Sequence, residues 1–310
     1  MDNFYGRSIL SMTDLTVEDI EDILATAPAF KEISQREIKK IPTLRGKIVV
    51  NMFFEDSTRT RISFEIAAKR LSADVINVNV EGSSLSKGEN LYDMVDNIAA
   101  MGTDAIIVRH GAEKVPHRLA KRLRIPVINA GDGINEHPTQ SLLDLFTIKE
   151  CLGSLTGHKV LLVGDIANSR VARSNIIAMT KLGMQVFVCT PRTCLNTRLM
   201  SSEYPNVKYT NDFEEFLPNA DIVMMLRVQR ERHITQYFPA TDEYIRHYCL
   251  TLERLRLAKP GVIIMHPGPV NRGFEIESEV VDNFGKVILQ QVTNGVSVRM
   301  ALLYLLLTKP

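Results

Sequence analysis

The sequence predicts an α/β fold of two doubly wound parallel-sheet lobes, which are linked by helices and have an active-site cleft between them. Short apolar segments alternate with helical patterns along the chain, as expected for parallel sheets that are covered by helices. The alternation runs in two successive series, and 310 residues exceed the size of one typical hydrophobic core. The pattern and the length together therefore favour two lobes over one.

The first series contains four predicted strands with polar turns and helices between them. The strands are expected at 47–54, 74–80, 104–109 and 126–130. Helices are expected after the turn at 57–61, and at about 89–101 and 111–123. The helix that follows the turn is expected to bury one face, which is formed by Ile62, Ile66, Ala67 and Leu71.

A helix at 138–151 is expected to lead into the second series, because Pro138 suits a first helical position and apolar residues follow at helical spacing. The second series has predicted strands at 158–164, 184–189, 221–226 and 261–266, and helices at about 169–183 and 241–258. The last helix, about 294–308, is apolar on nearly all sides and is expected to pack on the first unit. The predicted domains are therefore 1–137 with 294–310, and 138–293.

The composition is that of an ordinary globular enzyme. Lys and Arg number 37 against 36 Asp and Glu, and this balance gives no general reason to expect nucleic acid or an anionic membrane as a partner. No stretch approaches the roughly 18 consecutive apolar residues that span a bilayer. The first ten residues lack the apolar core of a secretion signal, and the four cysteines lack paired metal spacing. We therefore expect a cytoplasmic protein with reduced thiols.

The hydroxyl-rich turn at 57–61, within the segment 53–65, is the most informative feature of the chain. It connects a predicted strand to a predicted helix, and this arrangement places backbone N–H groups at a helix N-terminus, where the helix dipole favours an anion. Ser57, Thr58 and Thr60 add hydroxyl donors, and Arg59 adds a guanidinium that can grip two phosphate oxygens. A serine N-cap with surface arginines is the simpler interpretation, but two arginines at the edge of a sheet favour a phosphate site.

Polar side chains also follow the other predicted strands, in both series. They are Arg109, His137 and Gln140 in the first series, and Arg170, Arg227 and His266 in the second. A single arginine or histidine at such a place is usually structural. Several together at the carboxyl edges of parallel strands indicate a cleft for a substrate with more than one negative charge.

Other kinds of site are not supported by the sequence. The turn after 158–164 lacks the glycines of a dinucleotide fingerprint, and 153–159 lacks the spacing of a phosphate-binding loop, so neither NAD nor ATP is favoured. No metal-ligand cluster and no Ser-His-acid arrangement is evident, so we expect no metal and no cofactor. The polar loop at 81–89 is by itself a surface turn, although its Lys87 could close over an anion.

These motifs resemble the aspartate/ornithine carbamoyltransferase family from the N-terminus to the last helix. FFEDSTRTRISFE at 53–65 is similar to the carbamoyl-phosphate motif of the family, and HPTQSLLD at 137–144 is similar to its second motif. Four segments resemble the members that use aspartate: SLSKGE at 84–89, NAGDGINEHPTQ at 129–140, LRVQRER at 226–232 and HPGPVNRG at 266–273. The resemblance implies transfer of the carbamoyl group of carbamoyl phosphate to the amine of L-aspartate, an early step of pyrimidine biosynthesis. The reaction would pass through a tetrahedral intermediate without a cofactor.

The resemblance implies a role for each residue of the motifs. Carbamoyl phosphate would be bound by residues of both domains: Ser57, Thr58, Arg59, Thr60, Arg109, His137, Gln140, Pro267, Gly268 and Pro269. The second domain would bind L-aspartate through Arg170, Arg227 and Gln229, together with Lys87. The catalytic residues would be Arg59, Thr60, Lys87, Arg109 and His137.

The resemblance also implies a homotrimer in which Ser84 and Lys87 reach the site from the neighbouring subunit. HPGPVNRG at 266–273 resembles a bacterial form that often works without a zinc-bearing regulatory chain, or beside a dihydroorotase, so both remain open as partners. Glu55 and Arg232 match positions that bridge the domains in relatives, and ordinary surface charges are an equally good interpretation of both.

Two other functions compete with aspartate carbamoylation. The acceptor could be ornithine or a related amine, but the cations at the strand ends and Lys87 disfavour a cationic acceptor. A catalytically silent homologue could serve as a scaffold, but such a protein has no need of the complete set Arg59, Thr60, Lys87, Arg109, His137 and Arg227.

Overall fold

The computed structural model describes residues 4–78, 90–195, 204, 206–228 and 239–309. The chain forms two compact units, one of Met1–Phe146 with Thr293–Pro310 and one of Thr147–Val292. The last eighteen residues thus belong to the unit that the N-terminal half forms. The predicted domain division at 137/138 and 293/294 stays a prediction.

The first unit is built around a parallel sheet of four strands. Its strands are β1 (Ile48–Phe53), β2 (Asp74–Val78), β3 (Ala105–His110) and β4 (Val127–Asp132), in the order β2-β1-β3-β4. Its helices are α1 (Val17–Gln35), α2 (Thr58–Arg70), α3 (Leu91–Ala100) and α4 (Val115–Arg122). α5 (Pro138–Leu152) begins in this unit.

The second unit is built around a parallel sheet of five strands. Its strands are β5 (Lys159–Val163), β6 (Gln185–Cys189), β7 (Val207–Thr210), β8 (Ile222–Met225) and β9 (Ile263–Met265), in the order β7-β6-β5-β8-β9. Its helices are α6 (Arg170–Lys181), α7 (Phe213–Phe216), α8 (Thr241–Tyr248), α9 (Leu252–Leu255) and α10 (Ser278–Phe284). α11 (Lys286–Leu307) begins in this unit and ends in the first. The predicted α/β fold with two parallel sheets is confirmed.

Along the chain, each sheet grows first on one side of its initial strand and then on the other side. The place where the chain changes sides is called the switch point of the sheet. In the first sheet the chain turns to one side of β1 and then to the other, so the switch point lies between β1 and β3. In the second sheet the switch point lies between β5 and β8. Crevices at the carboxyl ends of such strand pairs are the usual ligand sites of open α/β sheets.

The inner strands of each sheet are buried under the helices of their own unit, which explains their nearly continuous apolar runs. Val50, Met52, Ile106 and Val108 from β1 and β3 share a core with residues of α3 and α4. Leu161, Val163, Val223 and Met225 from β5 and β8 share another with Tyr244 and Phe274. These cores fix the strand ends, and with them the residues that follow each strand.

Several expectations about the elements were wrong in detail. The segment expected as one helix at 241–258 forms two helices, because Cys249 has an extended backbone conformation and ends α8 before α9 begins. The last helix begins at Lys286, not at 294. Ile62 is 44% exposed, whereas the buried face of α2 consists of Thr60, Ser63, Phe64, Ala67 and Ala68. β7 and α1 were not predicted.

Within the described part of the chain, no helix has both the length and the apolar character that crossing a membrane requires.

Candidate active site

The N-terminus of α2 lies at the switch point of the first sheet. α2 starts directly after β1, with Ser57 as its N-cap residue, and the first helical hydrogen bond runs from the Arg61 amide to the Ser57 carbonyl at 3.1 Å. The Ser57 hydroxyl makes no capping hydrogen bond within the described residues. N–H groups in the first turn of a helix have no acceptor within the helix, so they suit an anion. Thr58 and Arg59 are exposed there, and Thr60 is buried.

Arg109 lies on the neighbouring strand β3, where the ladder with β4 is irregular. The register between these strands shifts between Val108 and His110, so Arg109 stands where the ladder is interrupted. Its Nη2 donates to Glu55 Oε1 at 3.1 Å, and its Nη1 donates to the Ala130 carbonyl at 3.4 Å. The side chain is only 12% exposed. A guanidinium is thus held between the β1–α2 turn and the end of β4.

The loop after β4 is fixed by a buried carboxylate. Asp132 accepts hydrogen bonds from the side chains of Asn129 and Asn135 and from the backbone amides of Lys114 and Glu136, at 2.7–3.2 Å. Gly133 has φ +51°, and a Cβ there would lie 2.9 Å from the Gly111 carbonyl oxygen. Only glycine fits this close approach without strain.

Glu136 secures the same loop to the N-terminal segment. It is 1% exposed, and its carboxylate accepts from the Ser11 hydroxyl and, at 2.8 Å, from the Met12 amide. The next residue, His137, is buried and caps α5: its carbonyl accepts from the Gln140 amide at 3.0 Å. Two buried carboxylates therefore determine where His137 lies.

Gln140 is held on the first turn of α5. Its Nε2 donates to Asp144 Oδ1 at 2.9 Å, and both residues are buried. Because a carboxylate only accepts hydrogen bonds, this contact turns the amide N–H groups of Gln140 toward Asp144 and leaves Oε1 to face elsewhere. Oε1 is an acceptor, as the NH₂ of a carbamoyl group requires.

Two arginines lie at the switch point of the second sheet. Arg170 is the first residue of α6, which follows β5, and it is only 3% exposed. Arg227 follows β8 by two residues and is half-buried. Gly164, at the end of β5, has φ +136°, and a Cβ there would lie 3.1 Å from Leu226 Cβ. The turn after β5 thus passes close to the end of β8, next to Arg227.

Glu275 connects the end of β8 to the segment that follows β9. Its carboxylate accepts from the Val228 amide at 2.9 Å and from the amide and side chain of Asn271 at 2.7 and 2.6 Å. Its Oε2 lies 3.5 Å from His266 Nε2, and both side chains are fully buried. His266 Nδ1 in turn accepts from the Gly268 amide at 2.8 Å.

The structure therefore brings the predicted residues together in two groups. In the first unit, Ser57, Thr58, Arg59, Thr60 and Arg109 lie at the switch point, and His137 and Gln140 follow the neighbouring strand β4. In the second unit, Arg170 and Arg227 lie at the switch point, and Pro267, Gly268 and Pro269 follow the neighbouring strand β9. Pro267 and Gly268 are half-buried, and Pro269 is exposed. Ser84, Lys87, Gln229 and Arg232 lie outside the described residues.

The sequence did not identify the residues that support these groups. They are Asp132, Glu136, Asp144, Glu275 and Arg299, which are all buried. Charged residues in otherwise apolar or Gly-rich segments are the signal that could have found them, because charges are rarely buried without a partner. Glu55, which was weighed as a domain bridge or a surface charge, pairs with Arg109 in the structure.

Other chemistry is not evident in the described residues. No three His, Cys, Asp or Glu side chains there are arranged to hold a metal ion. Burial raises the pKa of Cys189 and of Cys194 to about 12, so neither thiol is a ready nucleophile at neutral pH. What the first group can do is bind a phosphate and place hydrogen-bond donors around a neighbouring carbonyl; the second can bind carboxylates.

The chain matches two family models along nearly its whole length. The carbamoyl-P binding domain of aspartate/ornithine carbamoyltransferases matches residues 7–150. The Asp/Orn binding domain of the same enzymes matches residues 156–306.

Curated relatives are about half identical to the chain. The aspartate carbamoyltransferase catalytic subunit of Syntrophus aciditrophicus is 53% identical over 300 residues, which cover 97% of each chain. That of Moorella thermoacetica is 52% identical over 301 residues, again 97% of each chain.

Solved structures of an aspartate transcarbamoylase from Trypanosoma cruzi are also similar. Its complex with carbamoyl phosphate and aspartate has a TM-score of 0.91 and 29% identity, covering 99% of this chain and 98% of that chain. Its complex with N-(phosphonacetyl)-L-aspartic acid has a TM-score of 0.90 and 29% identity, with the same coverage.

Proposed function

Because this chain belongs to the aspartate/ornithine carbamoyltransferase family, we propose that it transfers the carbamoyl group of carbamoyl phosphate to L-aspartate. The products are N-carbamoyl-L-aspartate and phosphate. The proposal is carried by the identity of more than half over 97% of the chain with catalytic subunits of aspartate carbamoyltransferases. The two groups at the switch points support it, since one suits a phosphate and the other suits carboxylates.

Carbamoyl phosphate binds at the first switch point in this proposal. The first turn of α2, with Ser57, Thr58, Arg59 and Thr60, receives the phosphate. Arg109 contacts both the phosphate and the carbonyl oxygen, and Gln140 accepts from the carbamoyl NH₂ together with the backbone carbonyls of Pro267 and Gly268. Arg109 forms an ion pair with Glu55, and a bound phosphate would compete with Glu55 for the Arg109 guanidinium.

L-Aspartate binds through its two carboxylates at Arg170 and Arg227, with Gln229 and Lys87 completing the set. A guanidinium offers paired N–H donors with the geometry of a carboxylate, which explains why arginines suit this substrate. Ornithine, which carries a second ammonium group, would place a like charge beside these arginines.

The reaction needs no covalent enzyme intermediate. The neutral amine of aspartate attacks the carbonyl carbon and forms the new C–N bond. The resulting tetrahedral oxyanion accepts hydrogen bonds from Thr60, Arg109 and His137, and one such donor is typically worth about 3 kcal/mol. The C–O bond to phosphate then breaks, and the departing phosphate takes the amine proton. Positioning and electrostatic stabilisation supply the catalysis.

The active unit in this proposal is a homotrimer, in which Ser84 and Lys87 enter the site from the neighbouring subunit. The resemblance of the 84–89 segment to the family supports this sharing. Whether a regulatory chain or a dihydroorotase joins the trimer is a separate question, which copurification and mass measurement can answer.

Carbamoyl transfer by the purified protein tests the proposal. We expect ureido product and phosphate in equal amounts with L-aspartate, and none with L-ornithine. Arg59→Ala and Lys87→Ala should each abolish turnover. A mixture of the two variants, unfolded and refolded together, should regain part of the activity, because some mixed trimers then have a site with Arg59 from one subunit and Lys87 from its neighbour. Turnover with ornithine alone would contradict the choice of acceptor, and a mixture without activity would contradict the shared site.

A further inference from the structure

Arg299 is a charged residue in the interior of the apolar helix α11. It is only 4% exposed, and its neighbours Val298, Met300 and Ala301 are fully buried. Its Nη1 donates to the Ser63 hydroxyl at 2.7 Å, and its Nη2 donates to the Thr139 hydroxyl at 3.5 Å. The guanidinium also lies over the ring of Phe64, 5.0 Å from its centroid.

This burial is costly for a guanidinium. It lowers the pKa of Arg299 to about 10, and the negative charge of Asp144 opposes the shift, so the group is still cationic at neutral pH. Both hydrogen-bond partners named above are neutral hydroxyls, and within the described residues the Nε has no acceptor. A well-packed apolar residue often stabilises a core as much as a buried charge does, so stability alone is a poor reason for an arginine here.

The contacts of Arg299 lead to the two helices that carry the carbamoyl-phosphate group. Ser63 and Phe64 lie three and four residues after Thr60, so they share its face of α2. Thr139 stands between Pro138 and Gln140 in the first turn of α5. One side chain therefore contacts both helices directly behind their N-termini.

Asp144 extends this connection to Gln140. It interacts electrostatically with Arg299 and accepts the hydrogen bond from Gln140 Nε2 at 2.9 Å. The amide of Gln140 is thereby oriented with its oxygen available to a ligand. The guanidinium, the carboxylate and the amide form a chain that ends at the carbamoyl group of the proposed substrate.

Gly295, one turn before Arg299 on α11, leaves the space that the guanidinium occupies. A Cβ at this position would lie 2.7 Å from Arg299 Nη1 and 3.1 Å from Leu143 Cδ2. A real Cβ contact is not this short, so any side chain at 295 must displace the guanidinium. The position offers a way to move the charge without removing it.

We propose that Arg299 is a positioning residue, which holds the first turns of α2 and α5 in register and, through Asp144, presents Gln140 Oε1 to the carbamoyl NH₂. It does not touch the substrate itself. The inference rests on the proposed function, because the ligand that Gln140 accepts from is carbamoyl phosphate.

The test compares Arg299→Met, Arg299→Lys and Gly295→Ala with the unmodified protein. A displacement of about 1 Å can cost on the order of 10²-fold in rate, so we expect Arg299→Met to lower kcat/KM for carbamoyl phosphate by about 30–100-fold. The KM for aspartate at saturating carbamoyl phosphate should change by less than about threefold. Arg299→Lys should restore part of the loss, and Gly295→Ala should show a loss of about tenfold.

Met300→Ala is the matched control for a general loss of packing. Met300 is the next residue on α11 and is fully buried, so its truncation should lower the melting temperature while kcat/KM stays within about twofold. Kinetics of Arg299→Met that equal those of Met300→Ala would overturn the proposal. If Arg299→Met does not fold, the same comparison is made with Arg299→Lys and Gly295→Ala, and unchanged kinetics in both would overturn it.

Asp144→Asn tests the connection to Gln140 separately. An amide at 144 can donate as well as accept, so Gln140 is no longer held in one orientation. We expect a loss of about tenfold in kcat/KM for carbamoyl phosphate, with the affinity for inorganic phosphate changed by less than about twofold, because phosphate has no carbamoyl group. An equal loss in kcat/KM for carbamoyl phosphate and in the affinity for inorganic phosphate would contradict the role of Gln140.

The two proposals fail in different ways. An unmodified protein that transfers no carbamoyl group to aspartate refutes the proposed function. An unmodified protein that does transfer it, with Arg299 variants that match it in kcat/KM, refutes only the role of Arg299.

Discussion

In the proposed function, the two units use the same place in the sheet for different chemistry. In the first, Thr58–Thr60 and Pro138–Gln140 are the first turns of α2 and α5, so backbone amides and hydroxyls carry much of the proposed phosphate binding. In the second, Arg170 and Arg227 carry the proposed carboxylate binding through their guanidinium groups. A strand-order reversal therefore specifies where a ligand binds, and the residues that follow the strands specify which ligand.

The supports of the two groups also differ. Behind the first group, several buried charged residues act on different elements: Asp132 and Glu136 on the loop after β4, and Asp144 and Arg299 on α2 and α5. Behind the second, in the described part of the chain, Glu275 accepts both from the β8 end and from the segment after β9.

Among the three substitution tests of this comparison, the largest effect should come from the arginines of the second unit. Arg170→Ala and Arg227→Ala should each lower kcat/KM for aspartate by about 100-fold or more, because leaving one charge of a desolvated pair without its partner costs roughly 2–5 kcal/mol. The affinity for carbamoyl phosphate, measured by calorimetry, should remain within about threefold. Arg246→Ala is the control, since Arg246 is an exposed arginine of the same unit. An equal loss for both substrates would break the division of roles between the units.

A smaller effect should come from Glu275→Gln. The amide NH₂ would face a backbone N–H of Val228 or Asn271, and a lost hydrogen bond of this kind costs about 1–3 kcal/mol. We expect the free energy of unfolding, measured with urea, to fall by that amount and the KM for aspartate to rise about tenfold. Glu277→Gln is the matched control, because Glu277 accepts only from the Leu252 amide among the hydrogen bonds described for its side chain. It should lower stability without changing the KM.

The smallest effect should come from Ser57→Ala in the first unit. The hydroxyl is lost but the backbone amides of the α2 N-terminus remain, so we expect the KM for carbamoyl phosphate to rise by no more than about threefold. Steady-state kinetics with varied carbamoyl phosphate measure this. A rise as large as the effect of Arg170→Ala on aspartate would mean that side chains dominate in both units, and the comparison would fail.

Most of the sheets could be predicted because their strands are short apolar runs with buried sides on both faces. β1, β3, β5 and β8 have this character, and all four were expected. β7 was missed because Val207–Thr210 is an edge strand with no fully buried residue. α1 was missed although Thr16 and Asp19 form a capping box, since Pro28 within the helix reads as a break.

The candidate site could be predicted only for the residues that face a ligand. Ser57, His137 and Arg170 follow strands in the sequence and Arg109 lies near the end of one, and parallel strands place such residues at one edge of their sheet. Asp144 and Arg299 are separated by more than 150 positions in the sequence, and their relation depends on how α11 returns to the first unit. No local pattern records a pairing of this kind.

The return of α11 also bears on the order in which the protein is made. The first unit includes Thr293–Pro310, and the Gly6 amide donates to the Leu306 carbonyl at 3.0 Å, so the two ends of the chain meet in it. When all residues of the second unit, Thr147–Val292, have been synthesised, the first unit still lacks Thr293–Pro310, which include Arg299. The unit that is translated first is therefore completed last, and a nascent chain stalled before residue 293 has every residue of the second core but cannot finish the first.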